Sequence, residues 1–413
     1  MSLPVPSPTQ SYWQTPPHRL ASFRSPTFPS IADVVVIGSG ITGSNVARTL
    51  FEHDGSLKIV ILEARTLCSG ATGRNGGHIK PGTRPLNRNL LVASYHHWSH
   101  RVEKYGLRQA ILISQFENRH PAALVALTKK YDLNCDIMQV ETVDAYYDPE
   151  GFGRAKAATH AISQHVPELV YSIYDENEAR EKFRLSNDCL GAITYPAGQL
   201  WPYKLVTQLV EILVNNGINL QTETPATKVT QQGDKWLINT PRGNIVTSKV
   251  VHATNGYAEY LLPPFSTVIK PTRGHMTAQL PPRSLSEPPL NRTYSFIYED
   301  GKFDYLIQQP AYDGSKLIMG GGYHQDPNVT TYDDAEAPEA SQRYLYDQLP
   351  KVFRWKGEED PEKKIFTGWS GIMGFSEDGL PWVGPLAENL GGGDGQWICA
   401  GYTGEGMIFC DFD

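Results

Sequence analysis

Residues Ile31–Gly43 read IADVVVIGSGITG, and the run KIVILE ends on an acid, Glu63, about 20 residues further on. The apolar stretch Val34–Ile37 suits a parallel strand buried on both faces. Gly38 permits a tight turn, Gly40 leaves room for a pyrophosphate against the backbone, and Gly43 lets the next helix pack on the strand. That helix directs its N-terminal N–H groups and positive dipole end at the phosphates. Ile59–Leu62 supplies a second strand, and Glu63 is placed to accept hydrogen bonds from ribose hydroxyls. A glycine triplet alone is weak evidence. Here a strand precedes it, a helix follows it and an acid stands at the right distance, which favours a dinucleotide-binding βαβ unit over a glycine turn in an unrelated α/β protein.

The remaining composition narrows the class. A chain of 413 residues has room for two or three domains. At 40% hydrophobic and 20% charged residues it is that of a soluble globular enzyme. A net charge of −7 and an isoelectric point near 6.0 argue against broad nucleic-acid binding. No apolar run approaches the roughly 18 residues of a membrane helix, so no membrane partner is expected. The start, MSLPVPSPTQ, has no hydrophobic signal core. Five scattered cysteines suit a reducing compartment and show no metal-ligand spacing, so the expected location is cytoplasmic. His96 and His100, four apart, read as a solvated or core-edge face, because no acidic third ligand accompanies them.

Along the chain, residues 1–30 form an extended Pro/Ser-rich arm whose aromatics, Tyr12, Trp13 and Phe23, suggest docking on the body. Residues 65–86 read as a glycine-rich loop and Leu90 to about Lys130 as helical. Val140–Tyr147 reads as a strand and Pro202–Asn215 as an amphipathic helix. Alternation at Thr293–Tyr298, Tyr305–Gln308 and Lys316–Met319 predicts an antiparallel sheet. Phe366–Met407 reads as loop-rich apart from the strand Trp397–Ala400. Nucleotide-binding signals recur with other material between them, so two interleaved domains are expected.

Four blocks carry a resemblance to a known family: VVVIGSGITG with Glu63, CSGATGRNGGHIKPG at Cys68–Gly82, VVHATNGY at Val250–Tyr257, and TGWSGIMGFSEDGLPWVGP at Thr367–Pro385 with AGYTGEGM at Ala400–Met407. The chain resembles the FAD-dependent D-amino-acid-oxidase/glycine-oxidase/sarcosine-oxidase superfamily, in its γ-glutamylputrescine-oxidase-like branch. The fold this implies is α/β, a Rossmann-like FAD-binding domain interleaved with an α+β substrate domain built on an antiparallel sheet. The implied boundaries are 31–89, 191–258 and 362–413 for the FAD-binding domain and 90–190 and 259–361 for the substrate domain.

The implied cofactor site begins with Gly38, Gly40, Ile41, Thr42 and Gly43, then Glu63 and Ala64. Ser69, Gly70, Ala71 and Thr72 can meet phosphates or the flavin edge. Arg74, Asn75, Gly76, Gly77 and His78 lie near the isoalloxazine by the resemblance. Val229 is either a backbone partner of the adenine or an ordinary strand valine. Ala253, Thr254 and Gly371 complete the groove. Gly401, Thr403, Gly404, Gly406 and Met407 bring backbone to the flavin pyrimidine ring, where such a segment stabilises negative charge. In the sarcosine-oxidase-like branch a cysteine before the segment corresponding to Phe375–Gly379 carries the flavin covalently. Here Gly371–Gly374 contains none, so noncovalent FAD is expected, with His78 the competing attachment point.

The implied reaction is oxidation of a C–N bond in an amine or amino acid by hydride transfer to flavin, with molecular oxygen as the acceptor. Such chemistry needs orientation and exclusion of water more than a nucleophile. The candidates are Arg273, His275, Tyr305, Trp369 and Tyr402. Arg273 either pairs with a substrate carboxylate or belongs to a structural salt bridge. For His275 and Tyr305, substrate contact and a structural role stand equally. Trp369 and Tyr402 fall in flavin-facing loops by the resemblance.

Two other readings compete. The family pattern implies a further helix after Met407, where Ile408–Asp413 stand, and this favours a C-terminally truncated, catalytically impaired flavoprotein-like scaffold, poorly soluble or flavin-free. A nicotinamide dehydrogenase would leave the second and fourth blocks unexplained.

Overall fold

The computed structural model describes residues 2–81, 83–87, 90–299, 302–310, 315–354 and 365–410. Two mixed sheets organise the described residues, one of eight strands and one of nine. The first is centred on Ile31–Ile37, which runs parallel to Ile59–Leu62 on one side and to Gly243–His252 on the other. Val35 and Val36 are 0% exposed, as a strand covered on both faces requires. The helix Ile41–His53 crosses from the first strand to Ile59–Leu62. It packs beside the amphipathic helix Pro202–Asn215, whose Leu205, Val206, Leu209, Val210 and Leu213 join the same core. Gln396–Ala400 extends the sheet beside Val250–His252. The C-terminal ends of the strands Ile31–Ile37 and Gly243–His252 thus open side by side, the crevice where α/β sheets bind ligands.

The second sheet runs Ile365–Ser376, Ile269–Gln279, Leu317–Gly321, Phe303–Gln308, Thr293–Ile297, Met138–Tyr146, Gly191–Gln199 and His78–Ile79, with Ser172–Tyr174 also beside Gly191–Gln199. Its pairs are antiparallel except Thr293–Ile297 with Met138–Tyr146, which is parallel. Two strands lie in this sheet although the sequence places them in the FAD-binding unit. Gly191–Gln199 pairs along its length with Met138–Tyr146, and Ile365–Ser376 pairs with Ile269–Gln279. Sheet membership follows from hydrogen-bond partners some 50 to 100 residues away, which local pattern does not contain.

Three local readings also change. The stretch Phe366–Ser376 is not loop but part of a 12-residue strand. Its glycines stand where other parts of the chain approach closely, not at turns. A Cβ on Gly371 would lie 2.8 Å from Arg74 Cβ, and one on Gly374 would lie 2.8 Å from the Gly256 amide nitrogen. Leu90–Ala93 is a short strand paired with Thr83–Asn87, and the helices that follow are Trp98–Tyr105 and Leu107–Lys130. A short apolar run has no period that separates helix from strand. Within 65–86, Ala71–Arg74 forms a 3-10 turn and His78–Ile79 a strand.

The N-terminal arm docks. Tyr12 and Trp13 are 8% and 1% exposed and pack against the Trp201 ring at 5.5 and 5.2 Å. The Ser11 hydroxyl and Gln14 side-chain amide donate to the Gly73 carbonyl at 2.8 and 3.0 Å, and the Trp13 indole N–H to the Asn75 carbonyl at 2.6 Å. These carbonyls belong to the glycine-rich block, so the arm fixes that block from behind.

Two buried histidines make the fold sensitive to acid. His252 accepts or donates one hydrogen bond, to Gln396 at 2.7 Å, and His275 meets Asp326 at 3.0 Å. Burial lowers both to about 4, in His275 against the opposing pull of Asp326. An unfolded histidine takes up its proton near pH 6.5. Between pH 6.5 and 4 the unfolded chain therefore holds more protons, so this stability is complete above 6.5 and lost as pH falls toward 4. Each histidine should cost about 2 kcal/mol at pH 5 relative to pH 7. Denaturant midpoints at the two pH values measure this, and His252→Gln should reduce the dependence by about 2 kcal/mol, the share of one histidine. An unchanged dependence in that variant counts against the assignment.

Candidate functional site

The crevice of the first sheet continues into a cavity of about 320 Å³ that reaches the face of the second sheet. At the nucleotide end, the strand Ile31–Ile37 runs into Gly38 at φ +112, where a Cβ would lie 2.5 Å from the Ala253 carbonyl oxygen. Gly43 is not on the cavity wall. A Cβ there would be 1.9 Å from the Gly38 carbonyl oxygen, so this glycine seats the helix on the strand. Gly40 faces the cavity and caps the helix without a side-chain hydrogen bond, leaving the helix N-terminus open toward it. The Ile41 amide donates to the Thr72 hydroxyl at 3.0 Å, which joins the glycine block to the first turn.

Glu63 lines the cavity and is held by three donors: the Ser39 amide at 3.1 Å, the Ser39 hydroxyl at 2.7 Å and the Arg65 amide at 2.9 Å. These fix the carboxylate and leave acceptor capacity for a ribose. Ala64, Gly70, Ala71, Thr72, Arg74, Asn75, Gly76 and His78 continue the wall. Ala253 and Thr254 follow the Gly243–His252 strand onto it. Gly371 and the segment Tyr402–Met407, including Thr403, Gly404 and Gly406, close the other side.

Several predicted residues stand off this wall. Ser69 is buried behind it, and its carbonyl takes the Arg65 and Arg74 guanidinium groups at 3.0 and 2.8 Å. Gly77 and Gly401 also lie behind it; the Gly401 amide is held by the Asn255 side chain at 3.1 Å. Val229 packs in the strand core, and Ala226 takes the place at the cavity instead. Trp369 is 0% exposed in the long strand and donates its indole N–H to the Arg74 carbonyl at 2.8 Å, away from the cavity. Alternate strand residues point to opposite faces, so in a segment read as loop this orientation was invisible.

Arg273 does border the cavity, but its guanidinium is committed. Nε and Nη2 donate to the two Asp326 oxygens at 2.8 and 3.0 Å, and Nη1 to the Asp333 carbonyl at 3.2 Å. His275 meets the same carboxylate. Of the two readings open for Arg273, the structure therefore contains the salt bridge, which holds Asp326 well ionised. Asp334, also buried, binds Arg65 at 2.9 and 3.1 Å and lies 3.5 Å from Arg74. Sequence reasoning missed both aspartates, because the acid-rich segment around them reads as a solvated loop.

Tyr305 lies at the far end, edge-on to His78 at 5.4 Å and beside Phe303. Both His78 ring nitrogens are buried without a partner, and burial together with the Lys80 charge lowers its pKa to about 3. Thr254 Oγ1 and the Tyr257 hydroxyl are also buried on the cavity wall with no protein partner. Orphaned polar atoms in a roomy cleft mark a place where a polar ligand supplies the missing bonds. The uncapped helix start, the Gly40 opening, the fixed Glu63 and these orphans together fit a dinucleotide. Among the described residues, no group of three or more His, Cys, Asp or Glu side chains could hold a metal ion, and no helix is long and apolar enough to cross a membrane.

Known proteins share the sequence pattern and the fold. Probable oxidoreductase OrdL of Rhizobium meliloti (strain 1021) is 24% identical over 401 residues, 94% of this chain and 83% of the relative. Gamma-glutamylputrescine oxidoreductase of Escherichia coli (strain K12) is 23% identical over 97% of this chain and 85% of its own. Among solved structures, glycine oxidase from Geobacillus kaustophilus superposes with a TM-score of 0.71 at 18% identity, covering 92% of each chain. L-proline dehydrogenase from P. horikoshii gives 0.70 at 20% identity over 93% of this chain and 91% of that one. The family described as DAO, FAD dependent oxidoreductase, matches residues 33–411, and this chain belongs to it.

Proposed function

We propose that the chain holds FAD noncovalently and oxidises the C–N bond of an amine or amino acid, with molecular oxygen as the final acceptor. The observation that carries this is one continuous cavity, with a dinucleotide cradle at one end and an aromatic pocket poor in free charge at the other. Bound FAD would supply the hydride acceptor. The helix start at Gly40–Thr42 and the Glu63 carboxylate would hold its pyrophosphate and ribose. His78 and Tyr305 border the space left for substrate, and their bulk excludes water from it. The similarity to a gamma-glutamylputrescine oxidoreductase and the fold shared with a glycine oxidase support the substrate class. The five free cysteines suit the cytoplasm.

The noncovalent reading has its own support. Among the described lining residues there is no cysteine. Burial pushes the Cys399 thiol to about 11 and the Cys410 thiol to about 12, far from the reactive thiolate range. FAD should therefore stay in the supernatant after acid precipitation. A fluorescent pellet with a flavin-sized mass adduct would reverse the reading and point to His78.

The function itself is tested on the purified protein. Its visible spectrum should be that of a flavin, and anaerobic addition of amines, polyamines, N-methyl amino acids and D-amino acids should bleach it with at least one class. Air should then restore the colour with oxygen uptake. A flavin that no compound bleaches removes the substrate class. Bleaching that air does not reverse removes oxygen as acceptor and leaves the rest.

A further inference from the structure

We propose that Lys80 and Ser295 form a carboxylate-binding subsite at the far end of the cavity, and hence that the substrate is an amino acid or N-substituted amino acid, not a simple amine. This rests on the proposed C–N oxidation and decides between the two substrate classes it leaves open.

The basic side chains on the cavity wall differ in what they still offer. Arg65 and Arg74 are bound to Asp334 and to backbone carbonyls, close to the nucleotide end. Arg273 forms its fork with Asp326. Lys80 is otherwise placed. It is 4% exposed and donates to Asp144 and to the Ser295 hydroxyl oxygen. An ammonium group has three N–H donors, so among the described residues one remains. Ser295, 1% exposed, accepts from Lys80 and thus keeps its own O–H to donate. Both residues line the cavity. Two neighbouring donors, one of them charged, match the two oxygens of a carboxylate.

The surroundings keep this ammonium group in place. A lone buried lysine would lose its charge, and a buried pair persists only when its remaining lone pairs are met. Asp144 is 0% exposed, and its second oxygen accepts the Tyr95 and Tyr195 hydroxyls at 2.8 and 3.1 Å. The carboxylate is thus satisfied on the side away from the cavity, and Lys80 is held between it and the open space. Lys80 and His78 are two residues apart and flank Ile79, which is 1% exposed in the core behind. His78, Tyr305 and Phe303 form an aromatic wall beside Ser295, suited to a small organic body whose acidic end reaches Lys80.

The test uses the FAD-loaded protein and a carboxylate that cannot be oxidised. Propionate should perturb the flavin absorption saturably, and propionamide should not. Ser295→Ala, which leaves the Lys80–Asp144 pair intact, should weaken propionate several-fold. Lys80→Met should weaken it about 10- to 100-fold, as expected for a lost charge-assisted contact. If that variant fails to fold because Asp144 is left alone, Lys80→Met with Asp144→Asn removes both charges at constant shape. Steady-state rates should favour an amino acid over its decarboxylated amine in the wild type, with the preference collapsing in the Lys80 variants through KM. Unchanged propionate affinity in Ser295→Ala together with either Lys80 variant overturns the subsite, as does a wild-type preference for the amine. Propionate binding read without turnover keeps this separate from the reaction itself: if nothing is oxidised, the C–N reading falls while the binding arm still decides the subsite.

Discussion

A Gly40→Val protein should fold and emerge without FAD. Gly40 sits at φ −70 and ψ −174, extended backbone open to any residue. A Cβ there meets only the Thr72 side chain, its hydroxyl at 3.1 Å, so the added methyl groups project toward the cavity and not into the core. That space is where a pyrophosphate must approach the helix N-terminus. Overpacking of about 1–3 kcal/mol adds to the lost helix-terminus contact of up to about 2 kcal/mol. The sum, about 1–5 kcal/mol, corresponds to a fall in FAD affinity of roughly 5- to 5,000-fold. The flavin-to-protein absorbance ratio measures the loss, and circular dichroism checks that the fold survives. Gly43→Val is the contrast, since its Cβ would meet the Gly38 carbonyl oxygen at 1.9 Å and prevent the helix from seating at all. A yellow Gly40→Val protein at wild-type stoichiometry would place the cofactor elsewhere.

Replacing Asp334 by alanine should cost about 3–5 kcal/mol, because it leaves buried guanidinium charge without a counterion. Asp334 is 0% exposed and binds Arg65 through both oxygens. Its carbonyl also accepts the Thr9 amide at 2.7 Å, and Arg74 donates to the Thr9 carbonyl at 2.7 Å and to the Ser370 carbonyl at 2.8 Å. Asp334, through its carboxylate on Arg65 and beside Arg74 and its backbone carbonyl on Thr9, therefore stands at the junction of the arm, the glycine block and the long strand. Thermal and denaturant unfolding of Asp334→Ala and Asp334→Asn measure the cost. The asparagine variant should recover the part owed to hydrogen bonding alone. The loss should be accompanied by weaker FAD retention, since Arg74 and Gly371 line the cavity and a Cβ on Gly371 would touch Arg74. A cost below about 1 kcal/mol would mean that the two arginines find other partners or water, and that the junction is not rigid.

The end of the cavity at the first strand was readable because the residues that form it are close in sequence. Gly38, Gly40, Gly43 and Glu63 act through a turn and two short strands, and their spacing alone encodes the geometry. The glycine block was readable for the same reason: its backbone meets the cavity over consecutive residues, from Gly70 to Gly76 apart from Gly73. The far end was not. Lys80 directly follows the strand His78–Ile79, and Asp144 and Ser295 lie on two other strands of the same sheet, so sheet pairing brings the three together and no window of sequence contains them.

The same distinction separates Arg273 from the role open to it as a substrate partner. Its residue type suits a carboxylate, of a substrate or of the protein. Which carboxylate it meets was settled by the folding back of the segment around Asp326. Trp369 and the glycines of the long strand show the converse. A run of Gly, Ser and aromatic residues has turn composition, yet pairing with Ile269–Gln279 makes it a strand, and its glycines admit the Arg74 side chain at Gly371 and the Gly256 backbone at Gly374. The sequence by itself determined the dinucleotide unit, the family and the cofactor class, because short-range spacing of glycines, apolar runs and an acid carries them. Only the tertiary structure decided which charges are spent on one another, since buried ion pairs and strand neighbours are chosen by long-range packing and the need to leave no buried charge alone.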